Sequence, residues 1–122
     1  MLVAKNADVD ERALELIEGL PIVGIVKLKP LLGGEQMIML EIQYAAGAGS
    51  PLHTHTHESL CYIVSGKATA VVAGDTFTLG PGDACRHPEG VPHSIEALED
   101  TTVLEIKSPA QPLEQFLGTA RA

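Results

Sequence analysis

Three histidines stand at alternate positions in the stretch GAGSPLHTHTHESLCYIVSG, residues 47–66. Alternate residues of a β-strand share one face, so the imidazoles of His53 and His55 are predicted to point to one site. Neutral imidazole binds zinc, iron, nickel, copper or manganese ions. A third ligand has to come from elsewhere, and His93 is available on a later predicted strand. The alternative is a group of solvated loop histidines that hold no metal.

The segments around this stretch have the pattern of short strands separated by turns. Runs of β-branched and aliphatic residues recur at intervals of roughly 8–12 residues, with glycine, proline, serine or aspartate between them. This rhythm predicts an all-β sandwich or a small antiparallel barrel. The predicted strands are 22–29, 36–44, 60–64, 67–73, 76–79, 84–87, 91–97 and 101–107, with turns at 31–34, 74–75 and 80–83.

The whole chain is predicted to form one domain, because 122 residues are too few for two separate cores. Leu14 and Ile17 share a helical face, and Gly19 ends that pattern, so a short N-terminal helix is expected. The resulting plan is a helix at 10–19, a barrel core at 22–107 and a tail at 108–122 that has a helical turn near 114–117.

Composition and charge argue against several classes of function. Eight basic and 16 acidic residues give a net charge of −8 at pH 7, so neither nucleic acid nor an anionic membrane is an expected partner. No apolar run approaches the roughly 18 residues that span a bilayer. The first ten residues lack a signal-peptide pattern, and Cys61 and Cys85 are interpreted as buried, reduced thiols. A cytoplasmic location is therefore predicted.

Two motifs, met in this order along the chain, resemble those of the cupin family. The first family motif is a glycine, five residues, His-x-His, three or four residues, a glutamate, six residues and a glycine. The second is a glycine, five residues, Pro-x-Gly, two residues, a histidine, three residues and an asparagine. The matching positions hold Gly47, His53, His55, Ser59 and Gly66, and then Gly82, Pro88, Gly90, His93 and Ala97.

The resemblance implies an antiparallel jelly-roll β-barrel with a divalent ion in its mouth, such as zinc, iron, nickel or manganese. The implied metal positions are His53, His55 and His93, with Ser59 in the place of the family's carboxylate. A serine hydroxyl is a poor ligand for a divalent ion, so three arrangements stay open. In the first, three histidines hold the ion and its other positions are open or filled by water. In the second, Glu58 or His57 is the fourth ligand. In the third, the barrel is a plain small-molecule pocket that binds metal weakly or not at all.

The predicted function is that of a metal-dependent enzyme for a small oxygenated or carboxylated molecule. Three neutral imidazoles leave the charge of the ion uncompensated, which favours an anionic ligand. The ion would serve as a Lewis acid or, if it is iron, in dioxygenase chemistry. Glu105 or Glu58 is the candidate proton shuttle. Arg86 is either a carboxylate clamp or a surface residue, and His87 is either a supporting or a surface residue.

The stretch 93–109 also resembles the single-domain cupins of pectin and alginate breakdown, which linearise unsaturated monouronates. That resemblance implies a glutamine ligand where Ser59 stands, and an acid and an aromatic residue near the end of the last strand. Glu105 matches the acid, whereas Lys107 replaces the aromatic residue. An enzyme that linearises uronates is therefore an alternative function, although Ser59 and Lys107 differ from the residues of that group of cupins.

Two further alternatives are a non-enzymatic protein that binds a small ligand, and a structural dimer with a vestigial site. Small cupins pair through sheet edges, and the predicted strand 22–29 offers an edge of this kind. The resemblance therefore implies a homodimer.

Overall fold

The computed structural model describes residues 2–110, whose regular structure is almost entirely antiparallel β. In chain order the strands are β1 (Arg12–Ala13), β2 (Leu16–Ile17), β3 (Leu20–Pro21), β4 (Val26–Gly33), β5 (Ile38–Tyr44), β6 (Gly49–His53), β7 (Glu58–Ser65), β8 (Ala68–Val72), β9 (Asp75–Leu79), β10 (Ala84–His87), β11 (His93–Ala97) and β12 (Thr101–Ser108). A six-stranded sheet has the order β1-β4-β5-β12-β7-β10, and a four-stranded sheet has the order β6-β11-β8-β9. This arrangement confirms the predicted jelly-roll barrel. Over these residues, no helix has the length and apolar character needed to cross a bilayer.

The interior of the barrel changes from apolar to polar along the central strands of the larger sheet. Every second residue of β12 from Thr101 to Lys107 is buried, which is the alternation that a sheet with one inward face requires. At one end the register pairs Val103 with Ile63, and at the other it pairs Lys107 with Ser59. The polar end is therefore the place where a buried site can form.

The apolar end is filled by one continuous cluster, and its burial supplies the main favourable free energy of folding. Its members are Leu14, Val26, Leu28, Leu40, Ile42, Tyr44, Ala48, Cys61, Ile63, Ala68, Ile95, Ala97 and Val103.

The helix predicted at 10–19 is wrong, because this segment forms short strands. Within residues 2–110 the helical element is a single 3-10 turn at Asn6–Asp8. The Leu14 amide donates to the Val26 carbonyl at 2.9 Å, and the Leu14 side chain is buried. β2 and β3 then form a hairpin, with Glu18 and Gly19 at positive φ between them. A helix of this length is marginal in water, whereas the extended backbone gains hydrogen bonds to β4.

Most other predicted strands are confirmed, although their ends shift. β4 continues to Gly33, so the turn predicted at 31–34 lies later in the chain. The turn between β8 and β9 is Ala73-Gly74, one residue before the predicted position. Both residues have positive φ, 53° and 85°, as the mirror-image two-residue turn requires. The helical turn predicted near 114–117 lies outside the described residues.

The strand edge predicted to form a dimer contact is partly covered within the chain. β1 pairs with β4 at Lys27 and Leu28, so β1 rather than β4 ends this side of the larger sheet.

The closing glycine of the first motif is required by its backbone. Gly66 has a φ of 93°, in the left-handed region that side chains rarely adopt. A Cβ atom at this position would also lie 2.3 Å from the Asp100 carbonyl oxygen. The close approach lets the chain turn from β7 into β8 directly against the start of β12.

Candidate metal centre

All five histidines of the chain are buried in the barrel. His53 ends β6 and pairs in register with His93, which begins β11. His55 lies in the connection between β6 and β7 and not on a strand. The prediction that strand alternation brings His53 and His55 together is therefore wrong in its mechanism, since the chain leaves β6 at His53 and turns His55 inward.

His53, His55 and His93 form a compact group. One ring nitrogen of each lies within 4.8 Å of the corresponding nitrogens of the other two. The ring centroids are 4.3 Å apart for His53 and His93, and 4.6 Å apart for His55 and His93. Ligand atoms with these separations can share one ion at ordinary metal–nitrogen distances with small adjustments.

Backbone carbonyls orient all three rings in the same way. In each ring Nδ1 donates to a carbonyl two residues away: His53 to Pro51, His55 to His57, and His93 to Val91, at 2.7, 2.8 and 3.0 Å. A carbonyl oxygen only accepts, so Nδ1 carries the proton and Nε2 keeps its lone pair. This is the support that histidine ligands of metal ions receive in proteins.

The Nε2 atom of His55 is the clearest sign of a missing partner. It is buried and has no hydrogen-bond partner in residues 2–110. A buried acceptor without a partner costs free energy, and a bound cation would remove that cost. The three histidines therefore fit a divalent ion.

Burial keeps these rings neutral, which is the form that binds a metal ion. Loss of hydration lowers the pKa of His55 to about 3, and the nearby positive charge of Lys107 lowers it in the same direction. Burial likewise lowers the pKa of His93 to about 3, against the carbonyl hydrogen bond that favours the charged ring. The pKa of His53 is also lowered, mainly by burial.

These shifts predict how the metal-free protein responds to acid. Unfolded histidine takes up a proton near pH 6.5, whereas folded His55 and His93 do so only near pH 3. The unfolded state therefore binds more protons between these values, and the free energy of unfolding falls as the pH decreases through that window. Protonation of Glu105 lowers the free energy of unfolding further, but only below pH 4.5.

In chelator-treated protein we expect the melting temperature to be level above pH 6.5 and to fall by on the order of 10 °C per pH unit down to pH 4. Circular dichroism melts measure this. A His55→Asn variant should have a shallower slope, and a melting temperature that stays constant from pH 6.5 to 4 would contradict the assignment of neutral, buried rings.

A buried ion pair lies beside the three histidines. The Lys107 ammonium is 2.7 Å from Glu105 Oε2, and their side chains are only 5% and 10% exposed. Burial alone raises the pKa of Glu105, but the attraction of Lys107 and their hydrogen bond outweigh it and lower the pKa to about 2. Lys107 Nζ also lies 3.1 Å from His57 Nε2. The sequence prediction included Glu105 but gave no role to Lys107, although a spacing of two residues places both on one strand face.

His57 and Ser59, two alternatives for the fourth ligand, hold other contacts. The His57 ring is stacked on His55 with centroids 3.7 Å apart, and burial, together with Lys107, lowers its pKa to about 4. Ser59 is fully buried, and its hydroxyl lies 3.1 Å from His87 Nδ1.

Glu58 and Arg86 lie on the outer face of the barrel. The Arg86 Nε donates to Glu58 Oε2 at 2.7 Å, and the two side chains are 64% and 46% exposed. Of the two readings of Arg86, the surface residue is the one that the structure shows.

Cys61, Cys85 and His87 form a second cluster that the sequence did not lead us to expect. The His87 ring is stacked on His93 with centroids 4.0 Å apart, so the cluster adjoins the three-histidine group. Both cysteines are free. A hydrogen bond from Cys61, with a second from His87, outweighs burial and lowers the pKa of Cys85 to about 5, while the same bond and burial raise the pKa of Cys61.

A cavity beside the histidines has one polar wall and one apolar wall. The polar wall holds His55, His57, Glu105, Lys107, Ser50 and the exposed Glu18, and the apolar wall holds Leu14, Ile17, Ile22, Leu28, Leu40, Ile42 and Tyr44. The N-terminal segment thus closes one side of the cavity. The volume of this cavity is about 30 Å³, which is room for one or two water molecules, so a substrate would enter only if the N-terminal segment moved outward.

Comparison with known proteins gives one family. The Cupin_2 model, described as the cupin domain, matches residues 40–106, more than half of the chain. The pectin degradation protein KdgF of Dickeya dadantii (strain 3937) is 28% identical over 80 residues, which cover 65% of this chain and 73% of that protein. The oxalate decarboxylase OxdC of Bacillus subtilis (strain 168) is 31% identical over 80 residues, or 62% of this chain but only 21% of that protein.

Solved structures show the same fold. The structure of KdgF from Halomonas sp. has a TM-score of 0.78 at 24% identity, with 91% of this chain and 96% of that chain covered. An RmlC-like cupin from Shewanella frigidimarina NCIMB 400 has a TM-score of 0.77 at 21% identity, with 91% and 93% covered.

Proposed function

This chain belongs to the cupin family, and from that premise we propose that it is an enzyme whose three-histidine centre serves a reaction of a small carboxylated molecule. His53, His55 and His93 would hold the divalent ion. The observation that carries the proposal is the buried Nε2 of His55, which has no hydrogen-bond partner within residues 2–110 while its ring is held from the other side by a carbonyl. An ion bound there would supply Lewis-acid polarisation of a carbonyl or enol oxygen.

The charges around the centre favour an anionic substrate. The three rings are neutral, and Glu105 and Lys107 compensate each other at 2.7 Å. None of these groups offsets the charge that a divalent ion brings, and the other acid of the lining, Glu18, is exposed to solvent, so a carboxylate is the complementary ligand.

We assign the proton-transfer role to Glu105. It lines the cavity and is ionised at neutral pH, because the pKa of its carboxyl is about 2. Glu58, the other candidate, is on the outer face and bound to Arg86. Lys107 is the main reason that the pKa of Glu105 is low, so a substrate carboxylate that engages Lys107 would raise this pKa and make Glu105 a stronger base.

Lys107 would then have two functions in the same cavity. Its ammonium orients the Glu105 carboxylate before substrate binds, and it offers a positive partner to the substrate carboxylate afterwards. His57, whose Nε2 accepts from Lys107 at 3.1 Å, keeps the ammonium in place during this exchange. We assign to Ser59 the role of orienting the His87 ring through its hydroxyl group.

A uronate-linearising enzyme is the second candidate, and the match to KdgF favours it because that match covers 73% of the relative. The substrate would again be carboxylated. Ser59 and Lys107 stand where that group of cupins has a glutamine and an aromatic residue, so the present chain would have to hold its substrate differently.

Turnover of a small panel of carboxylates tests the proposal. We expect the metal-loaded protein to convert one of an unsaturated monouronate, oxalate or a 2-oxo acid, as followed by proton and carbon NMR. Chelation should abolish the conversion, and Glu105→Gln should slow it by roughly 100-fold or more.

Glu58→Gln is the matched control and should keep full activity. Saturable binding of a carboxylate with no conversion by any metal-loaded sample would contradict an enzyme and favour the alternative of a ligand-binding protein. Full activity of Glu105→Gln would overturn the assigned proton transfer.

A further inference from the structure

The cluster of Cys61, Cys85 and His87 has the composition of a metal site. Cys61 and Cys85 are direct cross-strand partners on β7 and β10, so their side chains leave the same face of the larger sheet. His87 follows Cys85 by two residues on β10 and therefore points the same way. Three donor atoms, one from each residue, lie within 4.8 Å of one another.

The donors of the cluster lie near the distances that one tetrahedral ion requires. Cys85 Sγ is 3.6 Å from His87 Nε2, and Cys61 Sγ is 3.8 Å from His87 Nδ1. With zinc–sulfur bonds of about 2.3 Å and a zinc–nitrogen bond of about 2.0 Å, sulfur and nitrogen ligands of one ion lie about 3.5 Å apart. Cys85 and His87 Nε2 thus already have the spacing of two ligands of one ion. The 3.8 Å contact of Cys61 is to Nδ1, so the Cys61 side chain has to shift towards Nε2 to complete the site.

The surroundings of His87 determine which ring nitrogen is available. Nδ1 lies 3.1 Å from the Ser59 hydroxyl, which can accept a hydrogen bond from it. With Nδ1–H bonded to Ser59, Nε2 is left to bind an ion, in place of the hydrogen bond that it donates to Cys85 in the metal-free protein. This support resembles that of the other three rings, with a side-chain hydroxyl in the place of a carbonyl.

We propose that Cys61, Cys85 and His87 form a second metal site, separate from the three-histidine centre and selective for a thiophilic ion such as Zn²⁺ or Cd²⁺. Two thiolates and one imidazole are soft ligands, which such ions prefer, whereas the three-histidine group contains no sulfur. Binding releases the thiol proton of Cys61 to water, since Cys85 is already ionised at neutral pH, and the two thiolate charges balance the charge of the ion. The proposal depends on different donors from the proposed function, so either can fail alone.

Cadmium titration of the reduced protein tests this site, because thiolate–cadmium bonds give an ultraviolet charge-transfer band that imidazole–cadmium bonds do not. We expect the wild-type chain, kept reduced with a phosphine, to bind two Cd²⁺ ions and to show the band for one of them. The Cys61→Ser/Cys85→Ser variant should lose the band and one equivalent of cadmium. His55→Ala should keep the band and lose the other equivalent.

The wild-type titration alone can overturn the proposal, whatever the folding of the variants. A wild-type chain that binds cadmium without any charge-transfer band has no thiolate site. A band that disappears in His55→Ala would mean that the two clusters are a single site. Rapid oxidation of the two thiols to a disulfide in saturating Cd²⁺ would also contradict the proposal, because thiolates held by an ion are protected from oxidation.

Discussion

His55→Ala should abolish stoichiometric binding of Mn²⁺, lowering the affinity by more than about 100-fold. The loss of a residue that merely orients a metal ligand costs 10–100-fold, so the loss of the ligand itself should exceed that range. His55 is the informative position because its Nε2 is buried without a partner in the described residues, and its Nδ1 is already engaged at 2.8 Å. Mn²⁺ is the appropriate probe, since this hard ion disfavours the cysteine cluster.

Electron paramagnetic resonance of free Mn²⁺ measures the binding, and Thr54→Ala is the matched control. Thr54 is adjacent in sequence but exposed, so its variant should bind one ion per chain as the wild type does. His93→Ala should behave as His55→Ala does. If His55→Ala retained one tightly bound Mn²⁺ ion per chain, the three-histidine centre would be incorrect and the enzyme proposed above would lose its basis.

The strand pattern and the two motifs were sufficient to predict the barrel, because period-two burial and glycine positions are local properties of the sequence. Gly66 shows why: its positive φ and its contact with the Asp100 carbonyl exclude any side chain. The helix prediction for residues 10–19 was wrong because the structure of this segment depends on distant residues. Its spacing of Leu14 and Ile17 fits a helix, but the choice is made by hydrogen bonds to β4, which the local sequence does not contain.

The structure brings His53, His55 and His93 together as predicted, whereas the surroundings of these rings were not predicted. His53 and His55 meet through a turn after β6, and a turn of this kind is fixed by tertiary contacts. The signal for Lys107 was present in the sequence, since it shares a strand face with Glu105. Lysine is nevertheless rarely buried, and the sequence alone does not show that β12 is a central strand, between β5 and β7, whose inward face is covered.

Lys107→Met should destabilise the metal-free protein by about 3–5 kcal/mol at pH 7, the cost typical of removing one member of a buried ion pair. The Glu105 carboxylate, 10% exposed, would lose the ammonium that stabilises its charge at 2.7 Å. Thermal and urea unfolding monitored by circular dichroism measure the loss. Lys27→Met is the control, because Lys27 is half-exposed and lies 3.5 Å from Glu11, and such pairs contribute less than about 1 kcal/mol.

The pH dependence of the same variant separates a lost charge pair from simple repacking. In the wild type Glu105 has a pKa of about 2, below its ordinary 4.5, so it contributes stability that is present above pH 4.5 and disappears as the pH falls towards 2. Without Lys107, burial should raise this pKa above 4.5. The folded state then binds the extra proton, and the variant should lose stability as the pH rises from 4.5.

Adding Glu105→Gln to Lys107→Met removes the titrating group, so the double variant should recover part of the loss of stability at pH 7 and should lack that pH dependence. A Lys107→Met protein as stable as the wild type at pH 7, or one whose loss is the same from pH 4.5 to 8, would show that the pair contributes packing and not charge.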